Sequence, residues 1–365
     1  MARTRPHYDR RVADIAIGLL TLVPGRLGGS ETYVSELLRA LGRVGTHDYR
    51  VVLPPVAEDR GEKLPSVVAR EYRVARTTPE RLLAMGLASA RPAPLRRHFR
   101  GATAVHFPLT IELPRTPLPK VVTLHDVQHL DLPELFPGAE RAFRAVLWHR
   151  SLRRADRVIA ISEFVRERAL ATLGLDAARV RVVPLGVDHE RLRPGDAQRE
   201  PFLLYPARRW RHKNHERLFE AFVFLRRERP ELRLVLTGGG DFRGLPDGIE
   251  ARGHVGADEL VGLLQRASAL VFPSLYEGFG LPPLEAMACA CPVACSNAGA
   301  LPETVGDAAR LFDPRDPQAI AAAVRDVLDD PAPWVARGLA HAARFSWDAT
   351  ARATDAVYAE LSTRS

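Results

Sequence analysis

Short apolar runs alternate along the chain with longer stretches whose apolar residues recur every three or four positions. That alternation predicts a parallel sheet with crossover helices. In the first half, strand-like runs fall at Asp14 to Thr21, Tyr49 to Leu53, Ala104 to Phe107, Val121 to Leu124, Arg157 to Ile161 and Val180 to Val183. Helical periodicity fills Glu31 to Leu41, Glu140 to Ala155 and Glu163 to Leu173. After Gly186-Val187-Asp188 the pattern dissolves into ERLRPGDAQREP, polar and proline-bearing as linkers are. A second series then starts afresh. Its strands are Phe202 to Tyr205, Arg233 to Thr237, Ile249 to Arg252, Ala269 to Pro273 and Pro292 to Cys295. Its helices are His215 to Glu228, Ala257 to Arg266, Pro282 to Ala288 and Pro317 to Asp329, and an alanine-rich helical segment, Ala332 to Leu361, closes the chain. The pattern predicts two doubly wound α/β domains facing each other: residues 1–188, a linker at 189–200, residues 201–345, and a terminal helix within 346–365 crossing back towards the first domain. In such pairs the ligand lies at the carboxyl ends of the strands, hence in the interdomain cleft.

Composition adds boundaries to this picture. A chain of 365 residues, 46% hydrophobic and 26% charged, has the make-up of two ordinary globular domains. The formal charge is +8, mostly from arginine. Nucleic acid, an anionic membrane face or phosphorylated small molecules would each suit it, as would solvated helix faces. Because the arginines are spread throughout, with no basic patch interleaved with aromatics, nucleic acid is disfavoured. Cys289, Cys291 and Cys295 lack the paired spacing of a zinc site and read as small buried residues in a reducing cytosol. The basic start MARTRPHYDRR ahead of VADIAIGLLTLVP superficially resembles a signal peptide, yet no A-x-A-like cleavage site follows, and a first buried strand explains the run better. No apolar run approaches the roughly 20 residues that span a bilayer.

Four stretches carry candidate chemistry. In VPGRLGGSETY a strand ends, glycines turn the chain, and a helix opens with Ser30 as a possible N-cap. The amides around Gly28 and Gly29 could approach a phosphate there, although a tight βα turn explains the stretch equally well. In YPARRWRHKNH, Arg208, Arg209, Arg211 and Lys213 follow a strand on the crevice side, where cations would neutralise a diphosphate. In VVTLHDVQHL, His125 and Asp126 stand at a strand terminus, suited to proton transfer or to hydrogen bonds with a sugar. His129 has a weaker claim. Lastly, LYEGFGLPPLEAMACACP sets Glu277 and Glu285 around Gly278 and Gly280, with Pro282, Pro283 and Glu285 in the first turn of a helix. Paired acids at that spacing could be a general acid and base, a metal site or a clamp on hydroxyls. Flanking an anion-binding loop, they make most sense as hydroxyl acceptors on either side of a diphosphate.

These residues resemble a known family. Glu277-x7-Glu285 within EGFGLPPLEAMACACPV is similar to the E-x7-E signature of retaining glycosyltransferases of family 4. GGSETY, HD at His125, ISEF at Ser162, VPLGVD, RRWRHKN, NAGALPETVGDAARLFDP and FSWDATA match in the family's order, so the resemblance covers essentially the whole chain. It implies the GT-B architecture: two Rossmann-like domains around a deep cleft. It also implies transfer of a hexose from a nucleoside-diphosphate sugar to an acceptor hydroxyl, with no metal and no cofactor. Carried over residue by residue, Arg208 and Lys213 would neutralise the diphosphate, with Arg209 and Arg211 rivals for the first role. Glu277 would orient the donor sugar and Glu285 the ribose. The amides of Gly278, Phe279, Gly280 and Leu281 would face phosphate, opposed by Gly28 and Gly29. His125 would lie beside the transferred sugar, with Asp126 and Ser162 near the donor. Ala290 is a departure, because the family more often has glycine there.

The resemblance further implies polysaccharide, glycolipid or other envelope glycan synthesis in the cytoplasm. GDP-mannose is the favoured donor, and the acceptor is unread. The basic surface suggests a peripheral contact with an anionic membrane and a lipid-linked acceptor. An epimerase acting on nucleotide sugars and a non-catalytic sugar-nucleotide-binding scaffold are the alternatives.

Overall fold

A computed structural model describes residues 14–72 and 78–362, so the basic N-terminal segment read as flanking the first strand lies outside the described residues. The first sheet comprises β1 (Asp14–Gly18), β2 (Asp48–Leu53), β3 (Ser66–Val68), β4 (Ala104–Phe107), β5 (Lys120–Leu124), β6 (Arg157–Ala160) and β7 (Val180–Val182). Its helices are α1 (Gly29–Val44), α2 (Thr78–Ala90), α3 (Ala93–Arg96), α4 (Gln128–Asp131), α5 (Gly138–Arg154) and α6 (Glu163–Leu173). The second sheet comprises β8 (Glu200–Pro206), β9 (Arg233–Thr237), β10 (Ile249–Ala251), β11 (Ala267–Phe272), β12 (Val293–Ser296) and β13 (Arg310–Phe312). Around it lie α7 (His215–Glu228), α8 (Ala257–Arg266), α9 (Leu281–Ala288), α10 (Leu301–Val305), α11 (Pro317–Asp329) and α12 (Pro331–Ala342), while α13 (Trp347–Ser362) packs on α1 of the first domain.

Both sheets are parallel and share one winding. Their spatial orders are β3-β2-β1-β4-β5-β6-β7 and β10-β9-β8-β11-β12-β13. Helices cover both faces, which is why the central strands are apolar almost without interruption: Ile15, Ile17, Val105, Val121, Leu203, Leu204, Leu270 and Val271 are all fully buried. Winding reverses between β1 and β4 in one sheet and between β8 and β11 in the other. Crevices therefore open at those points, and the loops leaving these strands line them.

The structure departs from the sequence reading at several boundaries. Gly28, at φ 56°, is the N-cap of α1, so Ser30 lies inside the helix and is not its cap. The alanine-rich segment is two helices, not one. Phe345 turns in against Phe279, and Ser346 then restarts the helix as a cap for Ala349. That break is where the chain recrosses between domains. The isolated bridge Val187–Ser346 joins the two crossings, and a Cβ on Gly186 would lie 2.2 Å from the Trp347 amide nitrogen.

Beyond the break, α13 completes the first domain. Asp355 accepts hydrogen bonds from the Thr46 amide and hydroxyl and from Tyr49, and it contacts His47 at 2.6 Å. Burial raises this carboxyl, but the hydrogen bonds outweigh burial and hold it at about 2. Glu360 pairs with Arg157 at 2.6 Å and with Arg181 at 2.8 Å. Cys289, Cys291 and Cys295 are buried free thiols. Among the described residues no helix is long and apolar enough to cross a membrane.

Candidate active site

The loop after β8 carries the cations, and its local fold decides where each one points. Asn214 ends the loop in the left-handed region at φ 59°. Its buried amide donates to Pro273 O at 3.0 Å and to Pro314 O at 2.7 Å, which ties this loop to the one after β11. Lys213 Nζ consequently meets Glu277 Oε1 at 2.5 Å, with only 13% and 15% of the two side chains exposed. The reading from sequence treated these two as separate contacts. They form one ion pair, with the Lys213 ammonium 5.1 Å from the Phe272 ring centroid. Arg208 reaches across the cleft and donates to Gly25 O at 2.8 Å, and Arg211 likewise donates to Glu134 O at 3.0 Å. Arg209, expected on the crevice side, turns back within its own domain. It donates to Asp241 O, lies over Phe242 and approaches Glu216 at 3.8 Å. Of the three candidates for the arginine role, Arg208 is the one that reaches the facing glycine loop.

The acidic loop after β11 is held from three directions. Leu275 N donates to His212 O at 2.7 Å, Ala300 N to Glu277 O at 3.0 Å, and the Thr304 hydroxyl to Phe279 O at 2.8 Å. Gly280 caps α9 at φ 115°, and Leu281 begins the helix. Gly278 is glycine for a different reason: a Cβ there would lie 1.9 Å from the carbonyl oxygen of His125, across the cleft. Phe279 packs its ring on Phe345 and offers the cleft only backbone. Glu285, expected in the first turn of α9, is the fifth residue of the helix. Burial raises its carboxyl, Arg191 partly offsets this, and the like charge of Glu36 adds to it. The half-buried Glu285 thus shares a pocket of charge with α1 and the interdomain linker.

The facing wall comes from the first domain. Gly28 lies against the Trp210 ring, which a Cβ would meet at 3.6 Å, whereas a Cβ on Gly29 would meet nothing within 4 Å. The turn before α1 is thus covered by Trp210 at Gly28 and open beside Gly29. His125 Nε2 lies 2.8 Å from Pro108 O, so that nitrogen carries the proton and Nδ1 is the acceptor. Burial pushes the imidazole pKa down and favours the neutral ring. Asp126 accepts from the Gln128 amide at 3.0 Å and faces Arg144 at 3.6 Å. Both contacts shape the loop. Ser162 caps α6 through the Val165 amide at 3.1 Å and donates to Gly278 O at 2.8 Å. It acts on the loop, with its hydroxyl already committed to that bond. His129 sits apart, 3.0 Å from His149.

Sequence reasoning missed Trp210, Gly299, Glu303 and Thr304. Gly299, at φ 63°, lets Glu277 pass where a Cβ would lie 2.7 Å from its backbone nitrogen and oxygen. The signal was present in RRWRHKN and NAGALPETV, but these residues act through backbone contacts that spacing does not reveal. Among the described residues no three His, Cys, Asp or Glu side chains converge as metal ligands.

Two parallel Rossmann-like sheets with their crevices face to face make this a GT-B protein. Residues 188–346 match the family described as Glycosyl transferases group 1, and residues 27–191 match Glycosyltransferase Family 4. The chain is 33% identical over 255 residues to an O-antigen chain mannosyltransferase B of Escherichia coli, covering 62% of this chain and 67% of that one. It is 30% identical to a D-inositol 3-phosphate glycosyltransferase of Kineococcus radiotolerans, covering 92% and 91% of the two chains. Among solved structures, a sucrose-phosphate synthase from Thermosynechococcus elongatus superposes with a TM-score of 0.78 at 23% identity, over 97% of this chain and all of that one. The protein belongs to the family 4, group 1 glycosyltransferases.

Proposed function

We propose that this glycosyltransferase moves a hexose, mannose from GDP-mannose foremost, to an acceptor hydroxyl with retention at the anomeric carbon and without a metal or other cofactor. The observation that carries this reading is the Lys213–Glu277 pair at the switch point of the second sheet, facing the Arg208-bound glycine loop of the first. The bond that breaks joins the anomeric carbon to a β-phosphate oxygen, which leaves charge on the nucleoside diphosphate. Lys213, Arg208 and the amides from Gly278 to Leu281 would neutralise that charge at the start of α9. Glu277 would hold the sugar hydroxyls, Glu285 the ribose, and neutral His125 the sugar from the far side. Gly28 and Gly29 would offer amides from the facing wall, and the oxygen freed on the phosphate would take the acceptor's proton.

Mannose is supported by relatives. Besides the E. coli enzyme, an MMP alpha-(1->4)-mannosyltransferase of Mycolicibacterium hassiacum is 31% identical over 275 residues. A nucleotide-sugar donor is in keeping with Anabaena HepE, solved with UDP and glucose, whose fold matches with a TM-score of 0.70. We assign the work to the cytoplasm, at the inner membrane face, on a lipid-linked envelope glycan. The test is thermal shift with free nucleotides, since a ligand that binds only the native state raises its stability. GDP should raise the midpoint and UDP should not. A rise with UDP alone would overturn the choice of donor.

A further inference from the structure

We propose that Glu303 is the residue that locks the cleft shut over the acidic loop. The inference rests on the reading above only in taking the closed cleft as the working form. α10 is a short helix that grips in two directions. Inward, the amide of Ala300 just before it and the hydroxyl of Thr304 hold Glu277 O and Phe279 O at 3.0 and 2.8 Å. Outward, Glu303 crosses to the first domain, where its carboxylate accepts from the Glu163 amide at 2.8 Å and from the Phe164 amide at 2.9 Å. Those are the first two amides of α6, which have no partner inside that helix. The third, Val165 N, is taken by Ser162, whose hydroxyl donates in turn to Gly278 O. A carboxylate at a helix N-terminus is electrostatically favourable, and this one comes from the opposite domain.

The same patch is cross-linked twice more. Phe164 meets Tyr276 edge-on at 5.5 Å, and the Tyr276 hydroxyl reaches Asp131 at 3.0 Å, itself paired with Arg168. When the domains part, Glu303 must leave both amides, while its own helix keeps hold of the loop that bears Glu277. Ordering the donor loop and closing the cleft are thereby one event. Glu303 is a positioning residue: it touches backbone of the first domain, and its helix acts on the reaction through Glu277 to Phe279.

The test uses the full chain with Glu303→Ala, Glu303→Gln and Glu163→Pro. The last deletes one of the two donors without touching Glu303. Proline is accepted at the first helical position, and Ser162 before it is already extended at φ −157°, ψ 161°. In Glu303→Ala, amide exchange at residues 163 and 164 should accelerate and the scattering radius of gyration should rise. Donor KM should climb roughly three- to tenfold, because less of the protein is in the competent state. Glu303→Gln should show a smaller change, and adding Glu163→Pro to Glu303→Ala should change little more, as expected for groups acting as a pair. Unchanged exchange and KM in Glu303→Ala would overturn the proposal. So would a loss confined to the thermal midpoint, or full additivity in the double variant. If the wild type turned over no sugar nucleotide, the functional reading would fall, while exchange and radius of gyration would still decide the latch.

Discussion

At the scale of single residues, Gly278 and Lys213 show how differently two positions can be constrained. Gly278 is fixed by a neighbour in the other domain, since the His125 carbonyl occupies the place of any Cβ at 1.9 Å. Gly278→Ala should therefore hold the cleft open and leave each domain intact. A shift on the order of 1 Å in a catalytic arrangement costs about a hundredfold, and that loss is the expected outcome in a transfer assay, with the thermal midpoint little changed. Wild-type turnover in this variant would remove the contact from the account. Sequence reading singled out Gly278 for another reason, as an amide donor to phosphate. Close approach between domains leaves no local signature. The Lys213–Glu277 pair was hidden in the same way: each residue was legible from its motif, their contact was not.

At the scale of elements, the end of α9 accounts for the one departure from the family pattern. The Cys291 amide bonds to Ala286 O at 2.8 Å and the Ala290 amide to Met287 O at 3.0 Å. That pair of bonds is the Schellman motif, and its pivot, Ala290, sits at φ 60° where glycine is usual. Ala290→Gly relieves the left-handed cost of about 1–2 kcal/mol but gives the unfolded chain more freedom, worth about 0.4–1 kcal/mol. A net gain of roughly 0.5–1 kcal/mol is expected, visible as a modest rise in the midpoint of thermal or denaturant unfolding. A fall in stability would contradict this. The central strands were legible as uninterrupted apolar runs and most long helices by their apolar periodicity, although α2 was not read. β3 and β13, at three residues each, were not read from the sequence, whereas the equally short β7 and β10 were. The terminal helix was placed within 346–365 from sequence, but the alanine-rich run did not show what ends α12 before it: tertiary contacts at Phe345 and Ser346 impose the break.

At the scale of the whole molecule, buried histidines tie stability to pH. Burial pushes His106 down to about 3 and His129, His212 and His215 to about 4, against 6.5 for the free side chain. Between those values the unfolded chain binds more protons than the folded one, so stability rises with pH across the window. It should be lost as pH falls from 6.5 towards 4. Glu36 and Glu285, raised by burial from 4.5, act in the opposite sense, but two groups oppose six histidines, since burial lowers His125 and His149 too. Melting followed from pH 7.5 to 4.5 should show the midpoint dropping steadily below 6.5. A flat profile would mean that these rings are open to solvent.

The central claim is that two cations on one loop of the cleft, Arg208 and Lys213, drive departure of a nucleoside diphosphate from a sugar. It is tested most directly by release of GDP from GDP-mannose, comparing the wild type with Lys213→Ala. Loss of one such charge-stabilising donor costs on the order of 3 kcal/mol, so release should fall roughly a hundredfold or more while the variant stays folded. Release that continues at the wild-type rate without Lys213 would contradict the account.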